Sequence, residues 1–359
     1  MTTREEIEML IQRRHYEEAL SKVPELEDPL DRIEVLTDMA VAIYFNHGPQ
    51  EWIPGIMEDA MYIAKKIKDR ASKAVGYSTI AASLAILGHE EDAMNFFERA
   101  LNEADGIKSP IEKGLVLSEL AYQLALAGYP ENALEFFNVA FDTIMGAGVE
   151  YKLKIDSVIR IGELLEEAGD ALPSSKALDF YRTAFDIFDK LNVNERAVVV
   201  EKKIELVNTV HEVGLPEIRK SLLEGRYHYA LALVEKKYRG ITKLIGGLEI
   251  ALWMKRVNNL EYLDVIDRAF ERCENLVLTE ANVQRIVRLL TELGSLNRAL
   301  KFAGEITDIR KRSEALKAIA LELAKRKDFE EARGIIESIP DPRIKEEALT
   351  EMITIEEGI

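Results

Sequence analysis

The chain has a single cysteine, Cys273, only four glutamines, five histidines and no long apolar run. One thiol excludes an internal disulfide and any zinc site built on several cysteines, and it points to a reducing compartment, the cytoplasm. No stretch approaches the roughly 18 apolar residues that a membrane-spanning helix requires. The start, Met1-Thr2-Thr3-Arg4-Glu5-Glu6, is polar and acidic, so no targeting segment is expected there. None of the histidines falls in a His-Glu-x-x-His pattern: His211-Glu212 runs into Val213-Gly214, and no metal site is expected. Gly146-Ala147-Gly148 and Gly246-Gly247 lack the neighbouring strand and Lys-Ser/Thr of a phosphate loop, and read as a helix end and a helix contact. The glutamines, Gln12, Gln50, Gln123 and Gln284, are few beside a charged fraction of 31%, a balance that fits a heat-adapted source.

The chain is acidic, with a net charge of −17. This argues against general nucleic-acid binding, whose affinity rests on Lys and Arg neutralising phosphates. The charge is uneven. Residues 1–150 carry 27 acids and 13 Lys or Arg, a net of −14, whereas residues 215–260 carry 4 acids and 9 Lys or Arg, a net of +5. In that basic stretch Arg226, Tyr227, His228, Tyr229, Lys236, Lys237, Tyr238 and Arg239 mix rings with cations, as a surface that stacks on single strands does. The same rings suit a packed joint between helices, with the lysines in water. Glu90-Glu91-Asp92 and Glu166-Glu167 read as solvated helix faces rather than acid–base pairs, the first at a helix N-terminus where acids are favoured.

What the chain does contain is a repeat. Setting Ala93 against Ala133 brings two helical hairpins into register forty residues apart, with no gap. The first helix carries Tyr77, Ile80, Ala81 and Leu84 in one copy and Leu117, Leu120, Ala121 and Leu124 in the other, then stops at Gly88 or Gly128. The second carries Ala93, Phe97 and Ala100, matched by Ala133, Phe137 and Ala140. Spacings of three and four put these residues on one face of each helix. Small residues let the axes approach, and the large ones fill the space between hairpins. Neither hairpin buries that face alone, so the copies must stack. Looser copies flank them: Leu36, Met39, Ala40 and Ile43 before, and Val158, Ile161, Gly162 and Leu165 with Ala177, Tyr181 and Ala184 after.

Residues 3–26 read as a short hairpin that Pro24 ends. Regularity fails between residues 194 and 225, where a long helix over Asn194 to Val213 precedes a short one over Pro216 to Glu224. Ile218 and Ala230 there repeat the spacing of Ile7 and Ala19, as though the array begins again. Pairs then resume up to a helix opening at Asp341-Pro342, with no partner after it. The expected organisation is an N-terminal array over residues 1–193, an irregular helical junction over 194–225, and a C-terminal array with a capping helix over 226–359, about twenty helices in all.

Bulky, bulky, small, bulky on the first helix and Ala, aromatic, Ala on the second resemble the tetratricopeptide repeat, closely over residues 74–145 and more loosely elsewhere. The resemblance implies an all-α fold, a right-handed αα superhelix (solenoid) of antiparallel hairpins with a groove lined by first helices. It implies groove positions at Val75, Ser78, Ala82, Leu115, Ser118 and Tyr122, a small and weakly polar surface. These do not supply the Lys and Asn with which the family's peptide pocket clamps a terminal carboxylate. In the second half the corresponding positions are Gln284, Arg288, Lys317 and Lys325, with Lys255 and Arg256 near, a cationic groove suited to an acidic segment. Trp253 is the ring suspected of an interface role, against the alternative of packing inside.

The function expected is that of a non-catalytic adaptor, which binds a peptide or helix of a partner protein in the groove. No cofactor, metal or membrane is implied, and stacked hairpins offer no deep apolar cavity for a small substrate. Two alternatives stand beside it. One is RNA or single-stranded DNA held by the basic stretch and the second-half groove. The other is a self-assembling homo-oligomer, with the groove filled by a second copy or by the chain's own C-terminal helix.

Overall fold

The computed structural model describes residues 2–271 and 278–358; Cys273 lies outside the described residues. Among the described residues all regular structure is helical, and the chain divides into two units, Met1–Ile204 and Glu205–Ile359. Each is an α-solenoid.

The first unit holds α1 (Thr3–Gln12), α2 (Tyr16–Lys22), α3 (Pro29–Phe45), α4 (Ile53–Lys66), α5 (Arg70–Ile86), α6 (Glu90–Asp105), α7 (Pro110–Leu126), α8 (Pro130–Met145), α9 (Tyr151–Ala171) and α10 (Ser174–Lys190). The division falls within α11 (Asn194–Thr209). Odd and even helices pair as hairpins, the first helices α1, α3, α5, α7 and α9 lie side by side, and each second helix also touches the next first helix.

The second unit holds α12 (Pro216–Leu223), α13 (Tyr227–Lys237), α14 (Gly240–Arg256), α15 (Tyr262–Glu271), α16 (Glu280–Leu293), α17 (Leu296–Ala303), α18 (Ile309–Lys325), α19 (Phe329–Glu337) and α20 (Pro342–Glu357). Here α12/α13, α14/α15, α16/α17 and α18/α19 are the hairpins, and α14, α16, α18 and α20 form the row of first helices. The last helix therefore occupies the place of one more first helix.

Local chemistry explains these boundaries. First helices start at side-chain caps: Asp28, Asp69, Ser109, Thr279, Asp308 and Asp341 each accept an amide N–H from the first turn. Each such cap stabilises its helix by about 1 kcal/mol. Gly88 and Gly128 end α5 and α7 with φ of 86° and 93°, a backbone that only glycine adopts without strain. Close approach explains Gly162 as well, because a Cβ there would lie 2.8 Å from the Phe188 ring. Gly246 is a helix contact as well, since a Cβ there would lie 3.0 Å from Val234 of the neighbouring helix, and 2.5 Å from Val213 in the turn beside it.

One boundary differs from the sequence reading. The helix expected to reach Val213 ends at Thr209, because the N–H groups of Glu212 and Val213 donate to the Glu249 carboxylate on α14 instead of continuing the helical ladder.

Candidate functional site

The predicted groove of the first unit is not where the family pattern puts it. Ser78 and Ser118 are buried, and their hydroxyls donate to the carbonyls of Val75 and Leu115 at 2.8 and 2.7 Å, one turn back on their own helices. Ala82 is buried too, so none of the three offers surface to a partner. Tyr122 is half-buried and remains on the face.

That face is charged. Aligned on the buried residues of each hairpin, Asp38 of α3, Thr79 of α5, Glu119 of α7 and Arg160 of α9 hold matching positions. Arg160 donates to Glu119 at 3.3 Å, to Glu167 at 3.3 Å and to Glu163 at 3.4 Å. On α1, Arg4 plays the same part, bonding Glu8 at 3.0 Å, Glu34 at 2.5 Å and Asp31. Asp38 makes no ion pair among the described residues. Its side chain meets solvent yet has protein on most sides, as a recessed group does; burial and then the charge of Glu34 push its carboxyl up to about 6, with Arg4 opposing. Burial also raises Glu119, against the pull of Arg160. Burial, followed by the charges of Glu167 and Glu119, pushes Tyr122 up to about 12.

In the second unit a groove of about 460 Å³ runs between α16 and α18, and its lining among the described residues comes from those two helices alone. No residue of α17 or α19 reaches it, so it lies on the first-helix side. Its floor is Val287, Ala315, Ala318 and Leu321. The lining includes three bases, Arg288, Lys311 and Lys325, and three acids, Glu292, Glu314 and Glu322, so the groove is charge-balanced rather than cationic. Gln284 lines it as well, and its amide nitrogen is buried with no hydrogen-bond partner among the described residues.

Of the second-half residues read from the sequence, Gln284, Arg288 and Lys325 thus come together. The others do not join them as free cations. Lys317 pairs with Glu347 at 3.2 Å and Glu351 at 2.8 Å on α20, and the hydrogen bond it donates to Glu351 is the first cause of its raised pKa. Lys255 donates to the Glu292 carbonyl at 2.5 Å, and burial followed by the charge of Arg326 lowers its pKa. Arg256 bonds the Thr209 hydroxyl at 2.5 Å and Glu292 at 3.2 Å. Trp253 is 1% exposed and packs inside the core of the second unit, which removes it as an interface ring.

Three further expectations are corrected. The C-terminal helix does not fill the groove, because α20 packs on α18 and α19 while α16 and α18 leave it open. Glu166 is not solvated: it is buried and accepts from Lys203 at 2.7 Å. An apolar cavity does exist, about 250 Å³ between α8, α9 and α10.

The basic stretch spends part of its charge at home. Arg226 pairs with Glu224 and lies over the Tyr229 ring, Lys237 pairs with Glu217, and His228 reaches Glu261 at 3.4 Å. Tyr227 packs on the core. Among the described residues no three or more His, Cys, Asp and Glu side chains gather as a metal site, and no helix is long and apolar enough to cross a membrane.

Kinship is decided by one crystal structure, that of Ton1535 from Thermococcus onnurineus NA1. It is 66% identical to this chain, the match covers 99% of this chain and 100% of that one, and the TM-score is 0.93. The chain belongs to the Ton1535 family. The Ton1535 match spans both units, so the order of hairpins is common to the two proteins. Two other solved structures align at much lower similarity. The Rap protein complexed with Competence and Sporulation Factor gives a TM-score of 0.28 at 12% identity over 97% of this chain and 98% of that one. A circular tandem repeat protein with novel repeat topology gives 0.26 at 13% identity over 99% of this chain and 89% of that one. Likeness of that size carries no argument about function. No protein-family model matches the chain, and no curated protein does.

Proposed function

We propose that the protein is a non-catalytic binding module that holds a polypeptide segment of a partner, extended or helical, in the groove between α16 and α18. The observation that carries this reading is the groove's lining. Ala315 and Ala318 are small beside Val287 and Leu321, which leaves room for another chain to approach closely. Beside them the Gln284 amide offers a buried donor with no acceptor among the described residues. An unsatisfied buried donor costs about 1–3 kcal/mol, and a backbone carbonyl of a bound segment recovers that cost.

The rim's three acids and three bases favour a segment of mixed charge over a purely acidic one. No cofactor enters this reading. A cytoplasmic setting accords with one thiol in 359 residues, and a heat-adapted source with hubs such as Arg160 and Arg4, each shared among three acids.

The test is selection of displayed random peptides on the intact protein, followed by affinity measurement against wild type and Ala318→Trp. Ala318 is exposed on α18, so the indole fills the groove without entering the core. Selected peptides should bind the variant at least about tenfold more weakly. Equal binding to both, or failure to select any binding peptide, would overturn the reading.

A further inference from the structure

The apolar cavity of the first unit has a cause in the sequence. Helices α8 and α10 meet where the Phe137 and Phe180 rings pack edge to face at 6.3 Å, and the cavity of about 250 Å³ opens beside that contact, with residues of α9 between them. When Val158 of α9 is set against Leu117 of α7, Ile155 falls where α7 has Gly114. Gly114 lets the Ile144 side chain come within 2.4 Å of the place its own Cβ would take, an approach that Ile155 forbids. On the facing helix, Asn138 and Met145 stand where α6 has Glu98 and Asp105. Asp105 closes the preceding repeat through Lys113 at 2.8 Å; Met145 cannot, and Lys154, which matches Lys113, turns to the Met145 carbonyl at 2.7 Å. A charged closure has been exchanged for an apolar wall.

Inside, Phe137, Phe141, Met145, Ile155, Val158 and Ile187 supply carbon and sulfur surface. Such walls offer an ordered water few of the two to four partners it needs. Asp186 and Lys190 also line the cavity, one acid and one base whose charges cancel. Their side chains make no hydrogen bond or ion pair among the described residues. Tyr151, 66% exposed, adds a ring that is open to solvent.

We propose that this cavity is a binding site for a small molecule made of one aromatic ring system with a neutral or zwitterionic polar end. Size and chemistry both lead there. An enclosed apolar cavity of about 150 Å³ accommodates benzene, and this one, at about 250 Å³ and open to solvent beside Tyr151, has room for a substituted ring whose polar end reaches water. The aromatic walls offer edge-to-face and stacked contacts to such a ring. Asp186 and Lys190, both exposed on α10 at the cavity and not bonded to each other, offer one acid and one base to the ends of a zwitterion. The site is separate from the groove of the second unit, and its failure would leave the groove reading intact.

The test is calorimetric titration of the intact protein with indole and with L-tryptophan. Wild type should take up each at a single saturable site. Thr183→Phe, which puts a ring into the cavity from α10, should weaken both by at least about tenfold. Asp186→Asn and Lys190→Met should weaken L-tryptophan more than indole, and equal effects on the two probes would remove the role given to these charges. Thermal melts check that each variant folds, and Asn138→Trp, an exposed position lining the same cavity, replaces Thr183→Phe if the latter does not. Absence of saturable binding of either probe to wild type, or binding that survives a filled cavity in a folded variant, would overturn the proposal.

Discussion

The carboxylate of Glu249, which has no exposed surface, accepts a hydrogen bond from the Arg285 guanidinium at 2.6 Å. This contact joins two neighbouring first helices, α14 and α16, and the same carboxylate holds the backbone N–H of Glu212 at 3.0 Å. Burial raises the pKa of Glu249, and the hydrogen bond from Arg285 opposes that rise. Arg285→Ala leaves a buried charge without its cation and should cost about 3–5 kcal/mol. Adding Glu249→Gln should recover part of the loss, because the amide oxygen still accepts from the backbone. Urea unfolding followed by circular dichroism measures both, and an unchanged midpoint for Arg285→Ala would refute the assignment.

Asp38 gives a dependence on pH with a definite sign. Its folded pKa is raised from 3.8 to about 6, so the folded state holds the proton more tightly than the unfolded chain. Stability from this group is full below about pH 4 and is lost as pH rises through about 6. Asp38→Asn should therefore melt like wild type at low pH and become the more stable protein above about pH 6. Melting temperature against pH for the two proteins tests this, and parallel curves would contradict it.

Gly162→Ala sets helix propensity against packing. Alanine gains about 1 kcal/mol of propensity over glycine. Its Cβ would lie 2.8 Å from Phe188 and 3.2 Å from Ile187, and Phe188 is fully buried. Overpacking of this kind costs about 1–3 kcal/mol, so the net effect expected is destabilising. A higher melting temperature for Gly162→Ala would show that the ring moves aside freely.

The matched hairpins are legible in the sequence because core residues recur in a fixed order: Ile80 with Leu120, Ala81 with Ala121, Phe97 with Phe137, all buried. The faces are harder to read. Ser118 fits a groove position by family pattern, yet a helical serine can turn its hydroxyl to a carbonyl one turn back and disappear, leaving the adjacent Glu119 to carry the surface. Lys317, Lys255 and Arg256 count as free cations until the fold shows which carboxylates and carbonyls lie beside them, and those belong to other helices. Trp253 is ambiguous because a large ring suits a core as well as an interface. The cavity did leave a trace: Ile155 in place of Gly114 and Met145 in place of Asp105 are visible once the hairpins are aligned.

The most direct measurement of the central claim is photo-crosslinking from a benzoylphenylalanine placed at Ala318, on the groove floor, beside one placed at Asn95, an exposed residue of α6. In a native lysate of the source cells, the account predicts nuclease-resistant adducts to a defined polypeptide from position 318 and none from position 95. Equal labelling from both positions, or adducts that nuclease removes, would contradict it.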